Sequence, residues 1–100
     1  MDWIEYLPSW LNINKSVLTD LKIAHTITQG SVKTDKNGTR ADFDTDSQIG
    51  RITLWETGEC DMEILDVETG DTVYLVHRVF NDARDAATAW NTFVLQMSKH

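Results

Sequence analysis

The chain has 100 residues, of which 41% are hydrophobic and 25% are charged, and its formal net charge is −7. This length and composition predict a single globular domain over residues 1–100, with a core that needs no metal or disulfide support. The negative charge makes nucleic acid and anionic membrane surfaces poor partners, because both attract proteins of the opposite sign.

The charge is unevenly distributed along the chain. Ten acidic residues lie between Ala41 and Asp71 with Arg51 as the one basic residue, so this segment carries −9 and the rest of the chain +2. Such a field attracts a basic protein or a cation. No apolar run approaches the roughly 18 residues of a membrane span, and the first residues do not resemble a signal peptide. With Cys60 as the single cysteine, these features predict a cytoplasmic protein.

Helical periodicity marks both ends of the chain. Apolar residues of the first twenty positions recur at spacings of three, four and seven. Pro8 interrupts this pattern, so the helix either begins near Pro8 and ends near Asp20, or is longer and kinks at Pro8. We favour the later start. The last twenty residues carry an apolar stripe from Ala83 to Met97, with Asn81 or Asp82 as the N-cap.

Five strands are predicted between the helices, at residues 22–30, 40–45, 49–56, 59–67 and 72–80. The Asn37-Gly38 pair is typical of a hairpin turn, and a Glu-Thr-Gly phrase is repeated at residues 56–58 and 68–70. Gly58 and Gly70 stand where a short loop needs a positive φ. Because every connection is short, we expect an antiparallel meander.

These elements predict an α+β fold, a two-layer sandwich in which N- and C-terminal helices pack on one face of a five-stranded antiparallel meander. Alternation along the strands assigns one set of side chains to the helix-covered face: Ile23, Ile27, Ala41, Phe43, Ile52, Leu54, Met62 and Ile64. The other set then points away from the helices: Asp42, Asp44, Arg51, Thr53, Trp55, Asp61, Glu63, Tyr74, Val76 and Arg78. Carboxylates around aromatic side chains are typical of a recognition surface, although the same acids also keep an exposed sheet in solution.

Sites for catalysis are weakly indicated. The Asp42, Asp44 and Asp46 spacing resembles a calcium loop, but Ser47 replaces the required glycine and Thr53 the final glutamate. His25 and His77 have no further ligand at zinc spacing. No nucleophile elbow or phosphate-binding glycine motif is present. The sequence therefore predicts a protein that is not an enzyme and has no cofactor or metal.

One stretch resembles a known family. Residues 50–61 (GRITLWETGECD) and 63–70 (EILDVETG) resemble the core of the TriTu family of bacterial immunity proteins, and Trp10-Leu11, Asn14-Lys15 and residues 42–44 are also similar. The resemblance covers about residues 10–80, and the last helix matches in pattern.

The resemblance implies a cytoplasmic antitoxin encoded beside an Rhs-type polymorphic toxin, which is often delivered by a type VI secretion system. Such a toxin is an ADP-ribosyltransferase that uses NAD and modifies elongation factor Tu. The implied partner is this toxin domain, whose NAD cleft or target-docking cleft is covered. We expect the contacts at Trp55, Asp61, Glu63, Asp42, Asp44, Arg51, Glu56 and Tyr74. The alternatives are a non-catalytic adaptor or chaperone for a secreted effector, and a small enzyme or ligand-binding domain that uses the acidic face.

Overall fold

The computed structural model describes residues 2–29 and 37–99 of the chain. The elements are α1 (Trp3–Ile13), α2 (Lys15–Asp20), β1 (Ala24–Gln29), β2 (Gly38–Asp44), β3 (Gln48–Trp55), β4 (Glu59–Asp66), β5 (Thr72–Val79) and α3 (Ala83–Met97). The strands form one antiparallel sheet in the order β1-β2-β3-β4-β5. The predicted meander with helices at both ends is confirmed.

The start of the first helix differs from the favoured prediction. α1 begins at Trp3, and Pro8 lies inside it. The Asp2 carboxylate accepts a hydrogen bond from the backbone N–H of Glu5 at 3.4 Å, and Trp3 and Leu7, one turn apart, are both buried. Burial of these two side chains outweighs the hydrogen bond lost at Pro8, since each contributes about 2 kcal/mol or more. The helical run is interrupted at Asn14 instead.

The turn predicted before β2, at residues 35–38, falls only in part within the described residues. Asp35 and Lys36 lie outside the described residues, and Gly38 is the first residue of β2, paired with Trp55. Its φ is not positive, whereas Gly58 (φ +89°) and Gly70 (φ +77°) both take the conformation predicted for them. A Cβ at position 38 would lie 3.2 Å from Cδ1 of Trp55. Glycine at position 38 therefore lets the Trp55 ring lie against the strand.

The core lies between the sheet and the helices. The residues predicted for this face are buried, except Ile27, which is 39% exposed. Ile27 pairs with buried Ala41 and points to the same side, but β1 is an edge strand and the helix layer covers it only in part. An aromatic cluster centres on Trp90, whose ring centroid is 5.4 Å from that of Trp10 and 5.7 Å from that of Phe80.

Polar contacts hold the helix layer together and attach it to the sheet. The Tyr6 hydroxyl of α1 donates to the backbone carbonyl of Ala83 at the start of α3, at 3.3 Å. At the other end of α3, we assign the Gln48 amide the orientation in which its nitrogen faces the helix, because the atom at that position is surrounded by carbonyl oxygens. The nitrogen then lies 2.8 Å from the carbonyl oxygen of Met97 and 3.0 Å from that of Lys99. Gln48 thereby caps carbonyl groups that have no partner within the helix.

Candidate functional site

The side of the sheet away from the helices, which we call the open face, is built from three rows of paired residues. Side chains of directly paired residues lie on the same face of a sheet. One row runs Asp42, Arg51, Glu63 and Leu75; the second runs Arg40, Thr53, Asp61 and His77; the third runs Asp44, Ile49 and Leu65. The predicted placement of Asp42, Asp44, Arg51, Asp61 and Glu63 on this face is therefore correct.

The placement of Tyr74 on the open face is wrong. In the sheet register Tyr74 pairs with Ile64, which is completely buried on the helix side. The Tyr74 ring packs against Phe93 of α3, with 6.3 Å between the ring centroids. Both faces of β5 carry apolar residues, and a register shift lies between Ile64 and Leu65, so alternation alone gave the wrong face.

Val76 and Arg78 follow Tyr74 to the helix side. Val76 pairs with buried Met62, and the Arg78 guanidinium donates to Asp85 of α3 at 3.0 Å. The residues of β5 on the open face are instead Leu75, His77 and Val79, which the sequence prediction missed. The pairing of Leu75 with Glu63 assigns the odd-numbered residues of β5 to the open face. No pattern in the sequence of β5 distinguishes its two faces in this way.

Trp55 and Glu56 lie at one end of the open face. The Trp55 ring is half-buried against Gly38. Glu56 is exposed in the turn after β3, where its N–H donates to the carbonyl of Asn37 at 2.9 Å. Glu56 is thus beside Trp55 and not in the middle of the face.

The charges of the open face are partly neutralised by one another. The Asp42 carboxylate accepts a hydrogen bond from Nε of Arg51 at 2.8 Å and lies 3.2 Å from Nε of Arg40. Asp61 lies 2.5 Å from Nδ1 of His77. Within residues 2–29 and 37–99, Asp44 and Glu63 have no ion-pair partner. The charge that the face presents to solvent is therefore negative.

Apolar side chains lie among these charges. Ile49 is 49% exposed, Leu75 69% and Val79 57%. Leu75 and His77 line a shallow depression together with Arg51, Asp61 and Glu63. A flat surface of apolar groups and carboxylates suits protein recognition more than the enclosure of a small molecule.

Cys60, a titratable residue of the core, does not belong to the open face. Cys60 is buried on the helix side, and burial raises the pKa of its thiol to about 12, so it stays protonated and unreactive at neutral pH. Among the described residues, no three His, Cys, Asp or Glu side chains are grouped as metal ligands. In the same part of the chain, no helix is long and apolar enough to cross a membrane.

Comparison with known proteins identifies the family. The sequence model of the family described as immunity protein TriTu matches residues 5–96. The chain belongs to the TriTu family of immunity proteins. No curated protein matches the chain.

The TriTu match extends from the first turn of α1 to the last turn of α3, so it includes the whole sheet and the helix layer. Membership supports an antitoxin role and implies that the chain binds a cognate toxin. It also suggests a role that is not enzymatic. Which residues contact the toxin stays a prediction.

Proposed function

We propose that this TriTu chain neutralises its cognate toxin by binding it through the open face. The observation that carries the proposal is the uncovered side of the sheet, where exposed Ile49 and Leu75 and half-buried Trp55 lie among carboxylates. Removing apolar surface from water contributes about 25 cal/mol per Å² before the costs of association. Tryptophan adds a large contact area with few rotamers to fix.

The carboxylates determine the kind of toxin surface that fits. Asp44 and Glu63 are not neutralised by a neighbouring cation of the described chain, and the segment from Ala41 to Asp71 carries −9. A basic cleft is the complementary partner, because opposite potentials speed association and select the correct orientation. A cleft that binds the pyrophosphate of NAD has this sign.

The proposed toxin is an ADP-ribosyltransferase of the Rhs type that uses NAD, modifies elongation factor Tu and is delivered by type VI secretion. The TriTu resemblance supports this identification. Binding of the open face over the toxin's NAD cleft or target-docking cleft prevents the modification. The proposed site of action is the cytoplasm, where the toxin meets its target and where a single reduced cysteine such as Cys60 is stable.

A double variant tests the open face as the binding surface. Trp55→Ala combined with Asp61→Lys removes the aromatic contact and reverses one charge, and we expect it to weaken toxin binding at least about 100-fold. Asp20→Lys, an equal charge reversal at the exposed end of α2, is the matched control and should bind normally. Titration calorimetry measures affinity, and thermal unfolding verifies that both variants fold.

Co-expression with the toxin domain of the neighbouring reading frame tests the function itself. The wild-type chain should rescue growth and the double variant should not. If the double variant binds and rescues as the wild type does, the assignment of the open face is wrong. If the wild type binds a neighbouring effector without suppressing its toxicity, the role is that of an adaptor or chaperone.

A further inference from the structure

Strand β5 is one edge of the sheet, and its outer side presents backbone groups with no described partner. In an antiparallel pair, alternate residues direct their N–H and C=O toward the neighbouring strand. The N–H of Phe80 donates to the carbonyl of Gly58 at 2.9 Å, so the even-numbered residues of β5 bond toward β4. The backbone groups of Leu75, His77 and Val79 therefore point outward.

The same three residues carry exposed side chains on the open face. An added strand beside β5 would extend the open face without a break. Side chains of that strand would lie next to Leu75 and Val79, and basic ones would reach toward Glu63, which pairs with Leu75. The backbone edge and the open face thus form one continuous surface.

This edge also lacks the features that usually protect a sheet edge. Proteins block exposed edges with lysine, proline, bulges or short strands. β5 has eight residues, contains neither lysine nor proline, and its register shift is confined to the end near Leu65. Arg78 of β5 forms an ion pair with Asp85, and the His77 ring contacts the Asp61 carboxylate.

We propose that the toxin adds an extended strand to the outer edge of β5 through the backbone groups of Leu75, His77 and Val79. This inference rests on the proposed function and specifies its binding mode. Charge selects the occupant. Two copies of this chain, each with a net charge of −7, repel each other, whereas a strand with basic side chains is attracted to Glu63. A strand of the basic toxin therefore fits better than a second copy.

A proline at position 75 separates the backbone contribution from the side-chain contribution. The Leu75 N–H points away from β4, so Leu75→Pro removes no bond of the sheet, whereas proline at Val76 would remove one. Leu75→Ala is the matched control, because it shortens the side chain and keeps the N–H. With the neighbouring toxin domain as the probe, we expect Leu75→Pro to bind about tenfold or more weaker than Leu75→Ala.

Hydrogen exchange on the wild-type chain gives an independent measurement that needs no variant. The amides of Leu75, His77 and Val79 should exchange rapidly in the free protein and become protected in the toxin complex. If the toxin binds and these amides remain unprotected, or if Leu75→Pro and Leu75→Ala bind equally, the edge proposal is wrong and the proposed function stands.

Two further outcomes overturn the proposal in different ways. If the wild type fails to bind the toxin, the proposed function is lost and the edge proposal with it. If sedimentation shows that the free chain is a dimer and Leu75→Pro is a monomer with unchanged toxin binding, the occupant of the edge is a second copy.

Discussion

The two Glu-Thr-Gly turns use the same residue types in different surroundings. Gly58 and Gly70 both have positive φ. A Cβ at Gly58 would lie 3.0 Å from the carbonyl oxygen of Phe80 and 3.0 Å from Nε1 of Trp3, whereas a Cβ at Gly70 would meet no atom within 4 Å. The repeated phrase therefore forms one turn packed under α1 and one turn that is free in solvent.

This difference predicts unequal effects of alanine in the two turns. Gly70→Ala should lower the free energy of unfolding by about 1 kcal/mol, the cost of a left-handed conformation with a Cβ. Gly58→Ala should cost roughly 2–4 kcal/mol, because steric overlap with a backbone atom is added. Urea unfolding of both variants measures the difference. Equal losses would mean that the Gly58 turn is not packed as described.

At the level of elements, α3 depends on a side chain from the sheet. Gln48 of β3 donates to the last carbonyl groups of α3, where the helix dipole is negative. Gln48→Glu keeps the shape but replaces the donor by a carboxylate, and we expect a loss of about 2 kcal/mol in unfolding free energy at pH 7. Gln48→Leu, the uncharged control, should lose about 1 kcal/mol.

The stability of Gln48→Glu should depend on pH, because the introduced carboxyl lies at the negative end of α3. The negative helix end raises the pKa of the introduced carboxyl in the folded state, so its extra destabilisation appears as pH rises above about 4 and is absent at lower pH. Unfolding measured from pH 3 to pH 7 tests this sign. A Gln48→Glu variant as stable as Gln48→Leu at pH 7 would show that Gln48 does not cap the helix.

Elements with a regular period were predictable from the sequence, and those without one were not. Strict alternation in β3 and β4 placed Arg51, Asp61 and Glu63 on the correct face. The residues between them are large and apolar and can be buried only if they all face the helices: Ile52, Leu54, Met62 and Ile64. On β5 both faces are apolar, so only the pairing with β4 assigns Tyr74 to the core. At Pro8 a local backbone rule was outweighed by burial of Trp3 and Leu7, which depends on the tertiary structure.

At the scale of the whole molecule, the charge predicts how association depends on salt. If the toxin is basic, as proposed, the net charge of −7 attracts it over distances beyond direct contact. Raising the ionic strength from about 0.05 M to about 0.5 M should slow association about tenfold or more, with a smaller effect on dissociation, because screening acts mainly on the approach. Stopped-flow kinetics measures both rates.

A second variant tests whether carboxylates of the open face cause this salt dependence. Asp44→Asn combined with Glu63→Gln removes two carboxylates of the open face that lack an ion-pair partner among the described residues. It should lower both the association rate at low salt and its dependence on salt. If the association rate of the wild type does not change with salt concentration, electrostatic attraction does not contribute to toxin binding.

The distribution of the four tryptophans gives the chain two separate optical reporters. Trp3, Trp10 and Trp90 are buried in the helix layer, and their aromatic neighbours include Tyr6 and Phe80. Trp55 alone lies on the open face, half-exposed to solvent. Emission from the buried three reports whether the helices are packed, while emission from Trp55 reports what covers the sheet. If the toxin binds the open face as proposed, folding and toxin binding can be followed in one unlabelled sample.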